Sequence, residues 1–102
     1  MKIIAFEKES PAAQTIEVQP LLQAEARQLW GLVQSGLVRE TYFRADQHTA
    51  VLVLECTDLD QARSALAVLP LVQAGLISFD LIPLQPYDGF ARLFLPNLGG
   101  LP

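Results

Sequence analysis

The stretch from His48 to Leu84, HTAVLVLECTDLDQARSALAVLPLVQAGLISFDLIPL, constrains the fold more than any other part of the chain. It begins with Thr49 to Cys56, a nearly unbroken β-branched and aliphatic run of the kind found in a central strand covered on both faces. The chemistry then changes. Thr57 or Asp58 can accept from the free N–H groups of a first helical turn, and Asp60 places negative charge near that helix N-terminus. Leu59, Ala62, Ala65, Leu66 and Leu69 recur at three- and four-residue steps opposite Asp60, Gln61, Arg63 and Ser64, which predicts an amphipathic helix of about three turns. Pro70 cannot continue it, because proline has no N–H and its ring clashes with the preceding turn. Leu71 to Gly75 turns the chain, and Leu76 to Leu84 reads as a second apolar strand.

The residues upstream supply the other half of the pattern. Lys2 to Lys8 reads as a strand of β-branched and aromatic character. A polar connection from Ser10 to Gln19 follows, with Pro11 inside it and Ile16 and Val18 as its only large aliphatics. A helix begins at Pro20, with Leu22, Ala26, Leu29 and Val33 as its expected buried stripe, widened by Leu21, Trp30 and Leu32. Gly36 stands where a left-handed cap ends such a helix, and Gly31 is expected to allow close packing against another backbone. Trp30 is either core or pocket wall. Leu37 to Ala45 is the next strand, joined through Asp46-Gln47-His48 so tightly to Thr49 that the pair must be an antiparallel hairpin. On it Glu40, Tyr42 and Arg44 share one face, and Arg39, Thr41 and Phe43 share the other. Which face is inward depends on whether the turn uses two or three residues.

The order β-α-β-β-α-β is that of a ferredoxin-like α+β fold, a four-stranded antiparallel sheet with both helices on one face. One hundred and two residues make a single domain with one modest core, yet 51% of them are hydrophobic and only 18% charged. A bare sheet face is therefore expected to be hidden by pairing two sheets face to face, as a dimeric α+β barrel in a homodimer or higher homo-oligomer. The tail from 85 to 102 carries Tyr87, Phe90, Leu93, Phe94 and Leu95 beyond the last strand, punctuated by Gly89 and Pro96. It is expected to fold as a short helix or turn on its own subunit or to pack on a neighbouring one.

Charge excludes several classes. Seven basic and eleven acidic residues are scattered, for a net charge of −4, without the Lys/Arg stripe that a nucleic acid or an anionic membrane surface would need. No apolar run approaches the ~18 residues of a membrane span, and the first ten residues lack a signal-peptide core, so a cytoplasmic location is the expectation. The lone Cys56 is read as a small core residue, with a reactive thiol as the alternative. One histidine among scattered carboxylates is not a metal-ligand pattern, and no Ser-His-Asp or Cys-His spacing, phosphate loop or CxxC occurs.

LPLVQAGLISFDLIPLQPY, Leu69 to Tyr87, resembles the muconolactone isomerase family within the dimeric α+β barrels, which similarly follows its second helix with an L-P-L segment, a break and a final strand. The resemblance extends back through Arg44, His48 and the strand at Thr49 to about Ala24. It implies cofactor-free isomerisation of a small unsaturated lactone or related aromatic-degradation product, a proton leaving one carbon and returning at another. Such a reaction needs an acid/base group and a donor near the developing oxyanion. The candidates are Glu40 or Glu55 as base, with Arg44, Tyr42 or His48 as donors; Tyr42, Trp30 and Glu55 are the candidate substrate contacts, and no metal or cofactor is implied. Each has a plainer reading: Arg44 and Glu40 as a charge pair across a dimer, Glu55 solvated, His48 exposed in its turn. Two other functions are open, a cofactor-independent monooxygenase of the same fold group and a non-catalytic oligomeric ligand-binding or interaction protein.

Overall fold

Every polar backbone group in a buried strand must find a partner, and the four strands of this chain solve that by pairing in the order β2-β3-β1-β4, all antiparallel. The structure is a computed structural model and describes residues 1–11 and 17–95. Residues 12–16, which include Ile16 of the polar connection, and 96–102, which include Pro96 of the tail, lie outside the described residues. The elements are β1 (Lys2–Glu9), α1 (Gln19–Gln34), β2 (Val38–Phe43), β3 (Ala50–Glu55), α2 (Leu59–Leu66), α3 (Pro70–Gln73) and β4 (Ile77–Pro83), followed by a 3₁₀ turn at Gly89–Leu93. This is the expected ferredoxin-like α+β arrangement, with the two apolar runs of β1 and β3 in the middle of the sheet.

Period-two alternation divides the sheet into two faces. Ile3 and Ala5 of β1 sit opposite Leu54 and Leu52 of β3, and with Val38, Ala62, Leu66 and Leu69 they form the buried core under the helices. Cys56 is buried beside them, and burial pushes its thiol up, away from the reactive thiolate form. Among the described residues, no helix lies over the opposite face. Its rows, read from the register, are Tyr42–Val51–Phe6–Asp80 and Glu40–Val53–Ile4–Ile82, an apolar centre with Lys8 and Asp80 paired at 3.0 Å near one end.

The sheet register answers the question the hairpin left open. A bulge at Arg39 puts two residues of β2 against one of β3, so Val38, Thr41 and Phe43 point to the helix side and Glu40 and Tyr42 to the bare face. Arg39 is the extra residue and does not share a face with Thr41, as simple alternation had it. The turn is longer than two or three residues: Arg44 N–H bonds the Thr49 carbonyl at 2.9 Å, leaving Ala45 to His48 as a four-residue loop.

The helices show what periodicity resolves and what it misses. In α2, Asp58 is the cap, accepting from the Gln61 N–H at 2.8 Å, while Gln61 Oε1 reaches back to the Thr57 N–H at 2.7 Å. The helix is shorter than three turns, because the residue before a proline is driven out of the helical region. Leu69 adopts ψ 130°, drops its side chain into the core, and Pro70 opens the separate turn α3 instead of ending one. Gly75 then takes φ +74° and returns the chain to β4. In α1 the inward side is Leu21, Glu25, Leu29, Leu32 and Val33, whereas Leu22, Ala26 and Trp30 are exposed. Trp30 is therefore not core. The helix rests on α3 and β2 rather than flat on the sheet centre, which turns its phase by about one residue. Gly31 is not a packing contact either, for a Cβ there would meet nothing within 4 Å.

Candidate functional site

The space between α1 and the β2 edge follows from that tilt. Leu29 on one side, and Thr41, Phe43, Ala50 and Leu52 with the Tyr42 strand segment on the other, enclose an apolar cleft of about 210 Å³. It is open along the sheet edge, where Phe43 remains 60% exposed. The cleft is the size of a single ring with small substituents, and its one polar side chain on the helix-facing side is the Thr41 hydroxyl. The buried Thr49 hydroxyl, one residue before Ala50, has no hydrogen-bond partner among the described residues. A larger hollow of about 460 Å³ lies at the far end of the sheet among Met1, Lys2, Glu55, Leu84, Gln85 and Pro86, where the tail leaves the body. Charged strand ends and the tail form its walls, so its shape is set by where the tail lies.

The sequence-derived candidates divide into three groups. Glu40 and Tyr42 come together: the Tyr42 hydroxyl donates to Glu40 Oε1 at 2.6 Å on the bare sheet face. That bond, with the nearby negative charge, holds the phenol above its usual value, so Tyr42 keeps its proton and acts as a donor. Arg44 does not join them. Its Nε and guanidinium nitrogen clamp Asp46 of the adjoining loop at 2.9 and 2.6 Å, and the Asp46 carboxyl falls below the usual carboxylate range. His48 lies flat on Phe43, ring centres 3.8 Å apart, at the edge of the same hairpin. The third group is remote. Glu55 stands four residues along β3 from the partner of Tyr42, roughly 13 Å away, and its carboxylate is 3.3 Å from the Met1 ammonium. Trp30 is 59% exposed on the outer side of α1, one position after Leu29 of the cleft.

Two carboxylates escaped the sequence reading. Glu25, on the inward side of α1 one turn before Leu29, accepts the Leu71 N–H at 2.9 Å, and Glu7 accepts the Ala50 N–H at 3.1 Å. Burial raises the Glu25 carboxyl above its ordinary value against the lowering effect of the Leu71 N–H, and the negative charge of Glu7 raises it further. The available signal was the break in the apolar stripe: a glutamate four residues before Leu29 on an inward helix line needs a buried partner. Among the described residues, no group of three or more His, Cys, Asp or Glu side chains could hold a metal ion, and no helix is long and apolar enough to cross a membrane.

Comparison with known proteins supports the architecture. No family model matches the chain, and no curated protein matches it in sequence. Solved structures do match. Among them, 5-chloro-2-hydroxyhydroquinone dehydrochlorinase from Burkholderia phenoliruptrix AC1100, in complex with 2,5-dihydroxybenzoquinone, superposes with a TM-score of 0.63 over 87% of this chain and 98% of its own, at 16% sequence identity. The likeness establishes the shared ferredoxin-like α+β fold.

Proposed function

We propose that this chain is a homo-oligomeric, muconolactone isomerase-like protein that binds a small aromatic-derived molecule in the cleft between α1 and the β2–β3 hairpin. The carrying observation is the cleft itself: an apolar, ring-sized space with the Thr41 hydroxyl on its wall, in a fold shared with a protein solved with a dihydroxybenzoquinone. Two sheets pair over the bare face, bringing Tyr42 and Glu40 of both copies into the joint. The finer, catalytic part of the reading places turnover in that joint, on the other side of the sheet from the cleft: Glu40 takes the base role and Tyr42 the donor role for a ligand held between the sheets, with a proton moved between two of its carbons and no cofactor.

Titration of the protein with 2,5-dihydroxybenzoquinone, phenols and unsaturated lactones, followed by calorimetry and Trp30 fluorescence, tests the binding reading. Thr41→Trp fills the cleft from an exposed position. It should abolish binding at an unchanged melting temperature, and undiminished binding would remove the cleft from consideration. For any lactone that is turned over, Glu40→Gln and Tyr42→Phe should cut turnover at least 10²-fold, the usual worth of a general acid or base, with binding in the cleft unchanged because neither side chain faces it. A specific observation favours binding without catalysis as the second reading: among the described residues, no carboxylate or imidazole lines the cleft. Full affinity with no turnover of any bound lactone or phenol decides for it.

A further inference from the structure

We propose that the segment Gln85–Leu95 is an exchanged arm, which seats Phe90 and Phe94 of one subunit against the open side of the α1–β2 cleft of a second copy and so completes the ligand pocket. The inference rests on the cleft being the ligand site. Its first support is that, among the described residues, the aromatic part of the arm from Tyr87 onward is not packed on its own body. The 3₁₀ turn packs closely against none of the other elements, and Phe90 and Phe94 are 66% and 83% exposed, with Tyr87, Leu93 and Leu95 exposed alongside. The exit is stiff as well: Pro83 ends β4 and Pro86 follows, each with φ fixed and without an N–H to extend the pairing of β4.

The arm is locally built rather than merely left over. Tyr87 meets the Phe90 ring edge-on with centres 4.8 Å apart, and a Cβ on Gly89 would collide with the Tyr87 ring. The result is a preformed aromatic knob that fits a concavity better than a flat sheet. The same chain offers one with an open apolar edge, beside which Phe43 stays exposed. The area closes the argument. Three aromatic side chains of roughly 200 Å² each, exposed by two-thirds or more, present roughly 400 Å² per arm. Two arms exchanged in a symmetric pair, with an equal area covered on two clefts, bury roughly 1,600 Å², the size of a standard stable interface. Left bare, each arm would match the largest patch a typical monomer shows. A second copy is the occupant because both complementary surfaces are carried by every chain, and reciprocal exchange closes the assembly at two.

The test is subunit-specific cross-linking. Thr41→Cys and Phe94→Cys are made in separate full-length proteins, mixed, allowed to exchange and oxidised mildly; the buried Cys56 stays out of the reaction. A disulfide-linked heterodimer that forms in the mixture and in neither protein alone is expected. Absence of that product overturns the proposal. So does a T41C/F94C double variant that closes the bridge only within one chain, which would place the arm on its own subunit. A second variant, Phe90→Ser with Phe94→Ser, should raise the dissociation constant for 2,5-dihydroxybenzoquinone at least tenfold, and an unchanged constant also overturns it. A cross-link formed by a protein that binds no quinone, phenol or lactone would sink the ligand reading and leave the docking intact. Tight binding without the cross-link does the reverse.

Discussion

Glu25 is the residue whose behaviour departs most from its type. A glutamate on the inward line of an amphipathic helix is costly unless its carboxyl finds a donor, and here the Leu71 N–H, in the first turn of α3, supplies one. Glu25→Ala removes that acceptor and should cost about 1 kcal/mol, the usual loss for a helix cap, whereas Glu25→Gln keeps a carbonyl oxygen in place and should cost less. The two differ in pH response. Because burial raises the Glu25 carboxyl, the folded protein holds its proton more firmly than the unfolded chain does. Stability therefore falls as pH rises from the ordinary glutamate value through the raised one. Urea titrations across that window should show the decline in the parent and a flatter profile in Glu25→Gln, and parallel profiles would mean the carboxyl is not perturbed. At this scale the sequence was partly legible. Alternation alone put Glu40 and Tyr42 on one face, and they bond. It could not foresee Arg44 turning to Asp46, since that depends on how a four-residue loop curls, nor Glu25 turning inward, since helix α1 is apolar on more than one side.

The elements were legible where several local signals agreed. Asp58, Gln61, the Ala62–Leu66 stripe and Pro70 all mark α2, and its cap and inward face follow from them. The end of that helix was misjudged because a proline that forbids continuation equally permits a new first turn, and α3 uses it that way. For α1, six large apolar residues spread round the helix left its phase to be chosen by contact with α3 and β2. That choice frees Gly31, which touches nothing and sits in the helix interior. Gly31→Ala should accordingly stabilise the protein by about 1 kcal/mol through helix propensity, read from the urea midpoint at constant slope. A destabilised variant would instead show that some part of the assembly approaches the backbone at Gly31, restoring the packing role expected of a glycine inside a helix.

At the scale of the molecule, strand order and chain pattern agree because both follow from one requirement, that β1 and β3 bury a face under helices that reach only one side of the sheet. A structure sharing 16% of its residues shares this architecture, which fits a fold specified by the spacing of apolar and turn residues more than by their identity. The same economy leaves Ile4, Phe6, Val51 and Val53 at the centre of a face that no helix covers. Tyr42 and Ile82, both about half exposed, extend it to the two edge strands. A second sheet laid on this face would cover all six and bury the five that the single subunit leaves partly exposed, with the Lys8–Asp80 pair near its rim. Val51→Lys tests the pairing with little cost to the single subunit, since Val51 is only half-buried there between Tyr42 and Phe6. In a face-to-face pair it would put one ammonium from each copy into the apolar joint without a partner, and burying such charges unpaired is strongly unfavourable. In the arm-disabled Phe90→Ser/Phe94→Ser background, where only this face can hold two copies together, light scattering should then find the protein with Val51 as a dimer or larger and Val51→Lys at the mass of one chain, with the far-ultraviolet circular dichroism of both alike. If Val51→Lys makes no difference to the mass in that background, the two sheets do not meet on this face. Assembly would then fall to the arm alone, and the Phe90→Ser/Phe94→Ser variant should in that case already be the monomer.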